Sequence, residues 1–304
     1  MMDTNFYAAP VFCFGEILWD ILPDGPQPGG APLNVAYHLT KLNVPTVLIS
    51  RIGKDQEGKQ LEDLMDNWGI DKLLLQSDPV HATGRVLAKK AAGNEMAYEI
   101  MFPVAWDFIE VNSNAVANVK ESEYFIYGSL AARNVISRNS LLELLDYGKF
   151  NVCDINLRPP FFEKELLEIL LGKADLLKVN ESEIEIVLEM LECDLKNEKE
   201  QIDFIKEKFN IHEVIVTKGE HGATYYTQNG IYHVAGIATK VCDTVGCGDS
   251  FLAAFIAYHF LKEQPESILK KAVAMGSLIA GKKGGCPQYE LSEYKNFIKK
   301  QATI

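Results

Sequence analysis

The 304-residue chain lacks the features that mark membrane-spanning, disulfide-rich and zinc-binding proteins. No run approaches the ~18 to 20 consecutive apolar residues of a spanning helix, and Met1–Pro10 has no basic segment followed by an apolar run. The six cysteines include no C-x-x-C pair, and no histidine lies at metal-ligand spacing. Neither a disulfide framework nor a zinc site is therefore expected. These absences predict a cytoplasmic protein with reduced thiols.

Positive charge is also scarce. The chain has 30 Lys and Arg residues against 42 Asp and Glu residues, which gives a formal net charge of −12. A surface of that sign repels nucleic acids and anionic lipid headgroups, so neither a nucleic acid nor a membrane is expected as a partner. Hydrophobic residues make up 47% of the chain, enough for a large core, which predicts a globular protein.

Short apolar runs rich in β-branched and aromatic residues alternate with stretches of helical period. This pattern is typical of an α/β fold, in which crossover helices connect the strands of a mostly parallel sheet. Ligands bind such sheets at the carboxyl ends of the strands. The predicted strands are Val11–Gly15, Thr46–Ile52, Tyr124–Tyr127, Asn151–Ile155, Leu176–Val179 and Val214–Thr217.

Two segments break this alternation. Ile17–Leu22 directly follows the first strand, and Thr83–Met101 has the pattern of two strands around a turn at Ala92–Glu95. A hairpin inserted into a parallel α/β body favours a flap at the edge of that body. We therefore predict a single domain over residues 1–304, with a small β lid formed by segments near 17–29 and 82–102. The apolar residues of the second segment fit either a cover for the site or pairing of two flaps in a homodimer.

The most informative segment is Asp243–Phe251, which leads into a buried helix. Gly246 and Gly248 let the backbone approach a ligand, and the free amides of the first helical turn offer a site for an anion. A carboxylate at a site that only bound phosphate would repel its ligand. Asp249 is instead expected to act as a base that takes a proton from an attacking hydroxyl. The amides of Gly246, Cys247 and Gly248 would stabilise charge on the transferring group. The alternative is an ordinary acidic residue favoured by the helix dipole.

Several motifs occur together in the order of one enzyme family. Gly29–Ala36, Arg51–Asp55 and Asp243–Phe251 resemble the two signatures of the ribokinase-like sugar kinases, the PfkB carbohydrate kinase family. Asp154–Pro159 and Asn180–Glu183 look most like the fructokinase branch. The resemblance spans nearly the whole chain. It implies a three-layer ribokinase-like fold and an ATP-dependent kinase that converts fructose to fructose 6-phosphate.

Two other functions stay open. The first is a kinase for an acceptor other than fructose, such as ribose, keto-deoxygluconate, tagatose or a nucleoside. The second is a catalytically silent sugar-binding regulator on the same scaffold. A nicotinamide dehydrogenase would need a Gly-x-Gly-x-x-Gly turn after an early strand, which Gly15–Ile17 does not provide.

The resemblance assigns the acceptor site to Asp20, Gly30 and Asn34, with Gly29 near the same ligand. Carboxylates and amides suit the vicinal hydroxyls of a sugar, although Asp20 on the wet face of an edge strand is the alternative.

Further polar residues lie at the end of the predicted strand Asn151–Ile155. Asp154, Asn156 and Arg158 alternate along a segment that we expect to be extended, so their three side chains should lie on one side of it. Asn156 and Arg158 are therefore expected at the substrate, unless Arg158 pairs with Asp154.

Asn180 and Glu183 fit a helix cap at the start of the helix after the strand Leu176–Val179. The resemblance implies a second role for both, which is to position Mg²⁺ and its waters beside the nucleotide phosphates, since a hard cation prefers oxygen ligands. Contact through water is favoured over direct coordination. The nucleotide contacts that the resemblance implies are Lys178, Asn180, Thr217, Lys218, Gly219, Gly222, Gly246 and Gly248.

The resemblance also implies a monovalent-cation site at Asp243 and the Val245 carbonyl. A departure from the family pattern at Gly285–Cys286 leaves K⁺ dependence open. Cys247 stands where the family usually has Ala. A thiol at a helix N-terminus can have a lowered pKa, so alkylation of Cys247 is predicted to inhibit the enzyme.

Overall fold

The computed structural model describes residues 9–90 and 96–301, which form two β-sheets and the surrounding helices. In chain order the strands are β1 (Val11–Phe14), β2 (Leu18–Leu22), β3 (Gly25–Gly29), β4 (Thr46–Gly53), β5 (Leu75–Asp78), β6 (Gly84–Lys90), β7 (Met96–Ile100), β8 (Tyr124–Gly128), β9 (Asn151–Asp154), β10 (Leu176–Asn180), β11 (Glu213–Thr217), β12 (Ala223–Tyr226) and β13 (Ile231–Val234).

The larger sheet has nine strands in the order β13-β12-β11-β10-β9-β8-β1-β4-β5. All neighbouring pairs are parallel except β11 with β12 and β12 with β13. The predicted α/β class with a mostly parallel sheet is confirmed. The chain builds outward from β1 in one direction through β4 and β5, and in the other through β8 to β13. This reversal leaves a crevice at the carboxyl ends of β1 and β8, where ligands bind such sheets.

Helices cover both faces of the large sheet. They are α1 (Ala31–Lys41), α2 (Gln56–Trp68), α3 (Ser113–Glu121), α4 (Val135–Leu145), α5 (Lys164–Leu171), α6 (Glu181–Met190), α7 (Glu198–Phe209), α8 (Cys247–Phe260), α9 (Pro265–Ala280) and α10 (Leu291–Gln301). Successive β1 side chains point to opposite faces. Val11 and Cys13 belong to the core with α1, α8 and α9, whereas Phe12 and Phe14 belong to the core with α3 to α7. Two cores around one sheet make the three layers.

The second sheet has four strands in the order β3-β2-β6-β7. β2 and β3 lie within the predicted segment 17–29, and β6 and β7 within 82–102. The predicted turn at Ala92–Glu95 lies outside the described residues. Among the described residues, no helix is both long and apolar enough to cross a bilayer.

The sequence analysis did not predict β5, β12 and β13. These strands lie at or near the ends of the large sheet, and β5 and β13 carry partly exposed side chains without a continuous apolar run.

Candidate active site

The glycine-rich turn forms the N-terminus of α8, in the sheet's ligand-binding crevice. Gly246 precedes the helix with a φ of 75°, in the left-handed region, and a Cβ there would lie 2.5 Å from Gly285 Cα. Only glycine fits both constraints. The Cys247 amide donates to the Thr244 carbonyl at 3.3 Å. Within the described part of the chain the Gly246 and Gly248 amides make no hydrogen bond, so these two can receive an anion.

Asp249 lies in the first turn of α8 and is half-buried. Its Oδ2 accepts a hydrogen bond from Asn34 Nδ2 at 2.8 Å, so the predicted base lies next to a residue that is predicted to bind the sugar. Burial and the nearby Asp154 raise the pKa of Asp249 to about 6, although the Asn34 bond, Lys178 and Arg158 act in the opposite direction. A carboxylate with that pKa is mostly ionised at neutral pH and is a stronger base than an exposed one.

Lys178 reaches the phosphate-binding turn from β10. A Cβ on Gly248 would lie 3.3 Å from Lys178 Nζ, which places the ammonium against the turn. The same Nζ pairs with Asp154 Oδ1 at 2.8 Å, and both side chains are buried. Burial lowers the pKa of Lys178, but Asp154 and Glu183 outweigh it, so the net pKa is raised and the ammonium stays charged. Strand alternation could not show this orientation.

Two carboxylates lie beside the glycines predicted to contact the acceptor, Gly29 and Gly30. Asp20 is half-buried on β2, where burial raises its pKa to about 6. Glu16, directly after β1, is 3% exposed, and burial raises its pKa to about 7. Its Oε1 accepts from the Ala31 amide at 3.3 Å. Sequence reasoning did not assign Glu16 to the site; the signal was a lone carboxylate directly after a buried strand.

The two predicted sugar-contact glycines lie beside these carboxylates. A Cβ on Gly29 would clash with the Asp20 carboxylate, and one on Gly30, whose φ is 108°, would clash with the Glu16 carbonyl. Both positions therefore require glycine, and the sugar contact predicted for them stays a prediction.

The segment after β9 differs from the sequence prediction. The strand ends at Asp154, and Asn156 has a φ of 41°, so the expected extended alternation through Arg158 is wrong. The chain bends here because the Leu157 amide donates to Glu183 Oε1 at 3.0 Å. Asp154 pairs with Lys178 and not with Arg158. The Arg158 guanidinium nevertheless lowers the pKa of both Asp20 and Asp249.

Asn180 and Glu183 form the capping box that the sequence predicted. Asn180 Oδ1 accepts from the Glu183 amide and Glu183 Oε2 accepts from the Asn180 amide, each at 2.9 Å. Because the Leu157 amide occupies Oε1, neither Glu183 oxygen is without a partner. Among the described residues no cluster of three or more His, Cys, Asp or Glu side chains could hold a metal. The donor set therefore fits Mg²⁺ through water better than by direct coordination.

A cleft of about 620 Å³ adjoins the phosphate-binding turn. Of the predicted nucleotide contacts, Thr217, Gly219, Gly222 and Gly248 line it. The other predicted nucleotide contacts, Lys178, Asn180, Lys218 and Gly246, are not part of its lining. Lys218 Nζ pairs with Glu198 at 2.7 Å. The remaining lining includes residues of the loop 236–241 and of α9: Gly236, Ile237, Ala238, Thr239, Val241, Val273, Gly276, Ser277 and Ala280. Small side chains on one face of α9 leave room for a ligand the size of a nucleoside.

Two predictions about the turn itself have different outcomes. Burial raises the pKa of Cys247 to about 11, and Asp243 and Asp249 add to the rise, so the predicted lowering of its pKa is wrong. Asp243 Oδ1 accepts from the Val245 amide at 3.1 Å and its Oδ2 from the Gly284 amide at 3.0 Å. Asp243 thus connects two loops, and the cation site remains a prediction.

A mostly parallel sheet with a glycine-rich helix N-terminus, an adjacent carboxylate and a nucleoside-sized cleft is the arrangement expected of a phosphotransferase of the kinase type. The model of the pfkB family carbohydrate kinases matches residues 25–290, and the chain therefore belongs to that family. This confirms the resemblance found in the sequence.

Individual relatives agree with this assignment. The chain is 28% identical to probable fructokinase-6, chloroplastic, of Arabidopsis thaliana, over 93% of this chain and 80% of that protein. It is 27% identical to a fructokinase of Escherichia coli, over 82% and 84%.

Solved structures confirm the ribokinase-like fold. A fructokinase with bound ATP from Xylella fastidiosa superimposes with a TM-score of 0.84 at 20% identity, covering 96% of this chain and 99% of that one. A fructokinase from Vibrio cholerae with fructose, ADP and calcium bound gives 0.81 at 23% identity, covering 95% and 99%.

Proposed function

We propose that this chain transfers the γ-phosphoryl group of ATP to the 6-hydroxyl of fructose, forming fructose 6-phosphate and ADP. The contact between Asp249 and Asn34 carries the proposal, because it joins the predicted base on α8 to the predicted sugar site on α1. The relatives named fructokinases and the fructose-bound Vibrio cholerae structure support fructose as the acceptor.

The chemistry follows from the arrangement of the charged groups. The sugar hydroxyl lies between Asp249 and the terminal phosphate, and its proton passes to Asp249 as its oxygen attacks phosphorus. The Gly246 and Gly248 amides and the Lys178 ammonium stabilise the negative charge on the transferring group. Asn180, through water, would hold the Mg²⁺ that neutralises phosphate charge.

Acceptor binding involves residues from three elements. In this proposal the sugar hydroxyls donate to Asp20 on β2, and Asn34, Asn156 and Arg158 complete the acceptor site. Gly30 gives the sugar close access to the backbone.

We further propose that the described chain acts as one kinase domain whose small sheet is a lid. Asp20 lies on β2 of that sheet. Closure of the lid would therefore bring this sugar-binding carboxylate into place and exclude water, the competing nucleophile. Lys283 pairs with Asp24 at 2.7 Å and connects the lid to the loop after α9. Exposed Tyr98 lies on β7, the edge strand of the small sheet, and exposed Met101 directly follows that strand; both support dimerisation through the lid. Light scattering tests the dimer, and cell fractionation tests the predicted cytoplasmic location.

A coupled ADP-release assay with ATP and Mg²⁺ tests the function over fructose, ribose, keto-deoxygluconate, tagatose and adenosine. We expect the highest kcat/KM for fructose. Sugar binding without ADP release would instead identify a silent regulator, and a different preferred sugar would identify another acceptor. The same assay in K⁺ and in Na⁺ tests the predicted cation site.

Asp249→Asn tests the catalytic base. We expect turnover to fall by at least ~10³-fold while ATP and sugar still bind in calorimetry, because the variant keeps the shape of the site and loses its proton acceptor. Asp203→Asn, on the solvent-exposed side of α7, is the matched control and should leave turnover unchanged. Near-normal turnover of the Asp249 variant would contradict the mechanism.

A further inference from the structure

The side-chain amide of Asn34 joins three segments that are far apart in the sequence. Its Nδ2 donates to Asp249 Oδ2 at 2.8 Å, and its Oδ1 accepts from the Cys286 thiol at 3.2 Å. Asn34 is buried, with 4% of its surface exposed. An amide rotated by 180° would present its oxygen to the carboxylate and repel it. The orientation of this amide therefore decides whether Asp249 faces a donor or an acceptor.

The segment 285–289 is fixed against α1 beside this amide. A Cβ on Gly285 would lie 2.6 Å from Asn34 Nδ2, so the Gly285 backbone lies directly against the amide. One turn along α1, His38 Nε2 bonds the Gly285 carbonyl at 2.9 Å and its Nδ1 bonds the Tyr289 hydroxyl at 3.0 Å. Burial lowers the pKa of His38 to about 4, so the ring is neutral at pH 7. Because a carbonyl only accepts, Nε2 carries the ring proton.

We propose that Cys286 is a positioning residue for Asp249: its thiol proton, donated to Asn34 Oδ1, fixes the amide orientation in which Nδ2 faces the carboxylate. This inference rests on the proposed function, in which Asp249 is the base.

The charge states of the three groups support this arrangement. Burial, with the Asp249 and Asp20 carboxylates, raises the pKa of the Cys286 thiol well above its usual value, so the sulfur keeps the proton that it donates. The hydrogen bond from Asn34 lowers the pKa of Asp249, whereas burial raises it. A donor facing Asp249 favours its ionised, basic form. Loss of the thiol donor should therefore raise the pKa of Asp249 and reduce the fraction of this carboxylate that is ionised near pH 6.

Cys286→Ala, Cys286→Ser and Cys193→Ala test this role through the pH dependence of fructose phosphorylation. In Cys286→Ala, we expect the acid limb of kcat/KM to move to higher pH and kcat at pH 6.5 to fall by ~3- to 10-fold, with KM for ATP changed less than about twofold. Cys286→Ser should restore both values, because a hydroxyl also donates. Cys193→Ala removes a thiol at the end of α6 and controls for loss of a cysteine.

A carboxylate titration by ¹³C NMR, without ATP or sugar, gives a readout that does not depend on turnover. The Asp249 signal, assigned with Asp249→Asn, should titrate at higher pH in Cys286→Ala than in the wild type and in Cys286→Ser. Identical titrations of the alanine and serine variants would overturn the positioning role. If no acceptor is phosphorylated, or if Asp249→Asn keeps its turnover, the proposed function fails, while the NMR comparison still decides the role of Cys286.

Discussion

Replacing Glu16 by Gln tests the electrostatics of the acceptor side of the crevice. Burial raises the pKa of Glu16 from 4.5 to about 7, Asp249 adds to the rise, and Arg158 opposes it. Its Oε2 is buried and has no hydrogen-bond partner among the described residues. Gln has the shape of the protonated acid, can still accept from the Ala31 amide, and does not ionise.

The sign of the effect follows from the two pKa values. Because the folded pKa lies above the unfolded one, the folded state binds more protons between them. The contribution of Glu16 to stability is present at low pH and is lost as pH rises through 7. From pH 5.5 to 8.5 that loss is about 2 kcal/mol. Glu16→Gln does not lose this contribution. The free energy of unfolding of the variant minus that of the wild type should therefore rise by about 2 kcal/mol between pH 5.5 and pH 8.5.

Urea unfolding at pH 5.5 and 8.5 measures this difference directly. Glu207→Gln, at an exposed position of α7, is the control and should give the same difference from the wild type at both pH values. A pH-independent difference for Glu16→Gln would show that Glu16 does not titrate in this range. That result would refute the view that burial holds this carboxyl in its protonated form.

Three further outcomes follow from the structure. Below pH 6, kcat/KM should fall about tenfold per pH unit, because Asp249, with a pKa of about 6, becomes protonated and can no longer accept a proton. A pH-rate profile without this fall would exclude Asp249 as the base. Arg133→Met should lower the free energy of unfolding in urea by ~3–5 kcal/mol, because it leaves buried Asp107 without its ion-pair partner. Lys283→Ala should raise KM for fructose by less than ~3-fold, and the effect should vanish in high salt, which screens exposed pairs; unchanged KM at low salt would exclude the lid contact.

Local sequence patterns predicted the parts of the fold that depend on local signals. The apolar runs at β1, β4, β8, β9, β10 and β11 predicted the buried strands, because each pairs on both sides and is covered by helices. The capping box at Asn180 and Glu183 was predictable for the same reason, since its hydrogen bonds span three residues. The turn at Asn156 was not, because a hydrogen bond from the neighbouring Leu157 to Glu183, 26 residues away, holds it.

Burial accounts for the properties of the site that the sequence could not supply. The helix dipole alone favours a thiolate at Cys247, but desolvation and two nearby carboxylates outweigh it and raise the pKa of the thiol. Glu16 was not assigned to the site because a sequence does not show that its carboxyl is buried beside the Ala31 amide. The contact of Asn34 with Asp249 spans 215 residues and exists only because α1 and α8 pack side by side.

The charges around the acceptor favour a neutral sugar. Burial raises the pKa of Glu16, Asp20 and Asp249. The Arg158 guanidinium lowers the pKa of all three, and the Lys178 ammonium also lowers that of Asp249. The hydroxyls of fructose can donate hydrogen bonds to these oxygens. An acid such as keto-deoxygluconate would bring a fourth carboxylate into the same partly desolvated space, where like charges repel strongly. The desolvation that raises the pKa of Asp249 therefore also disfavours anionic acceptors.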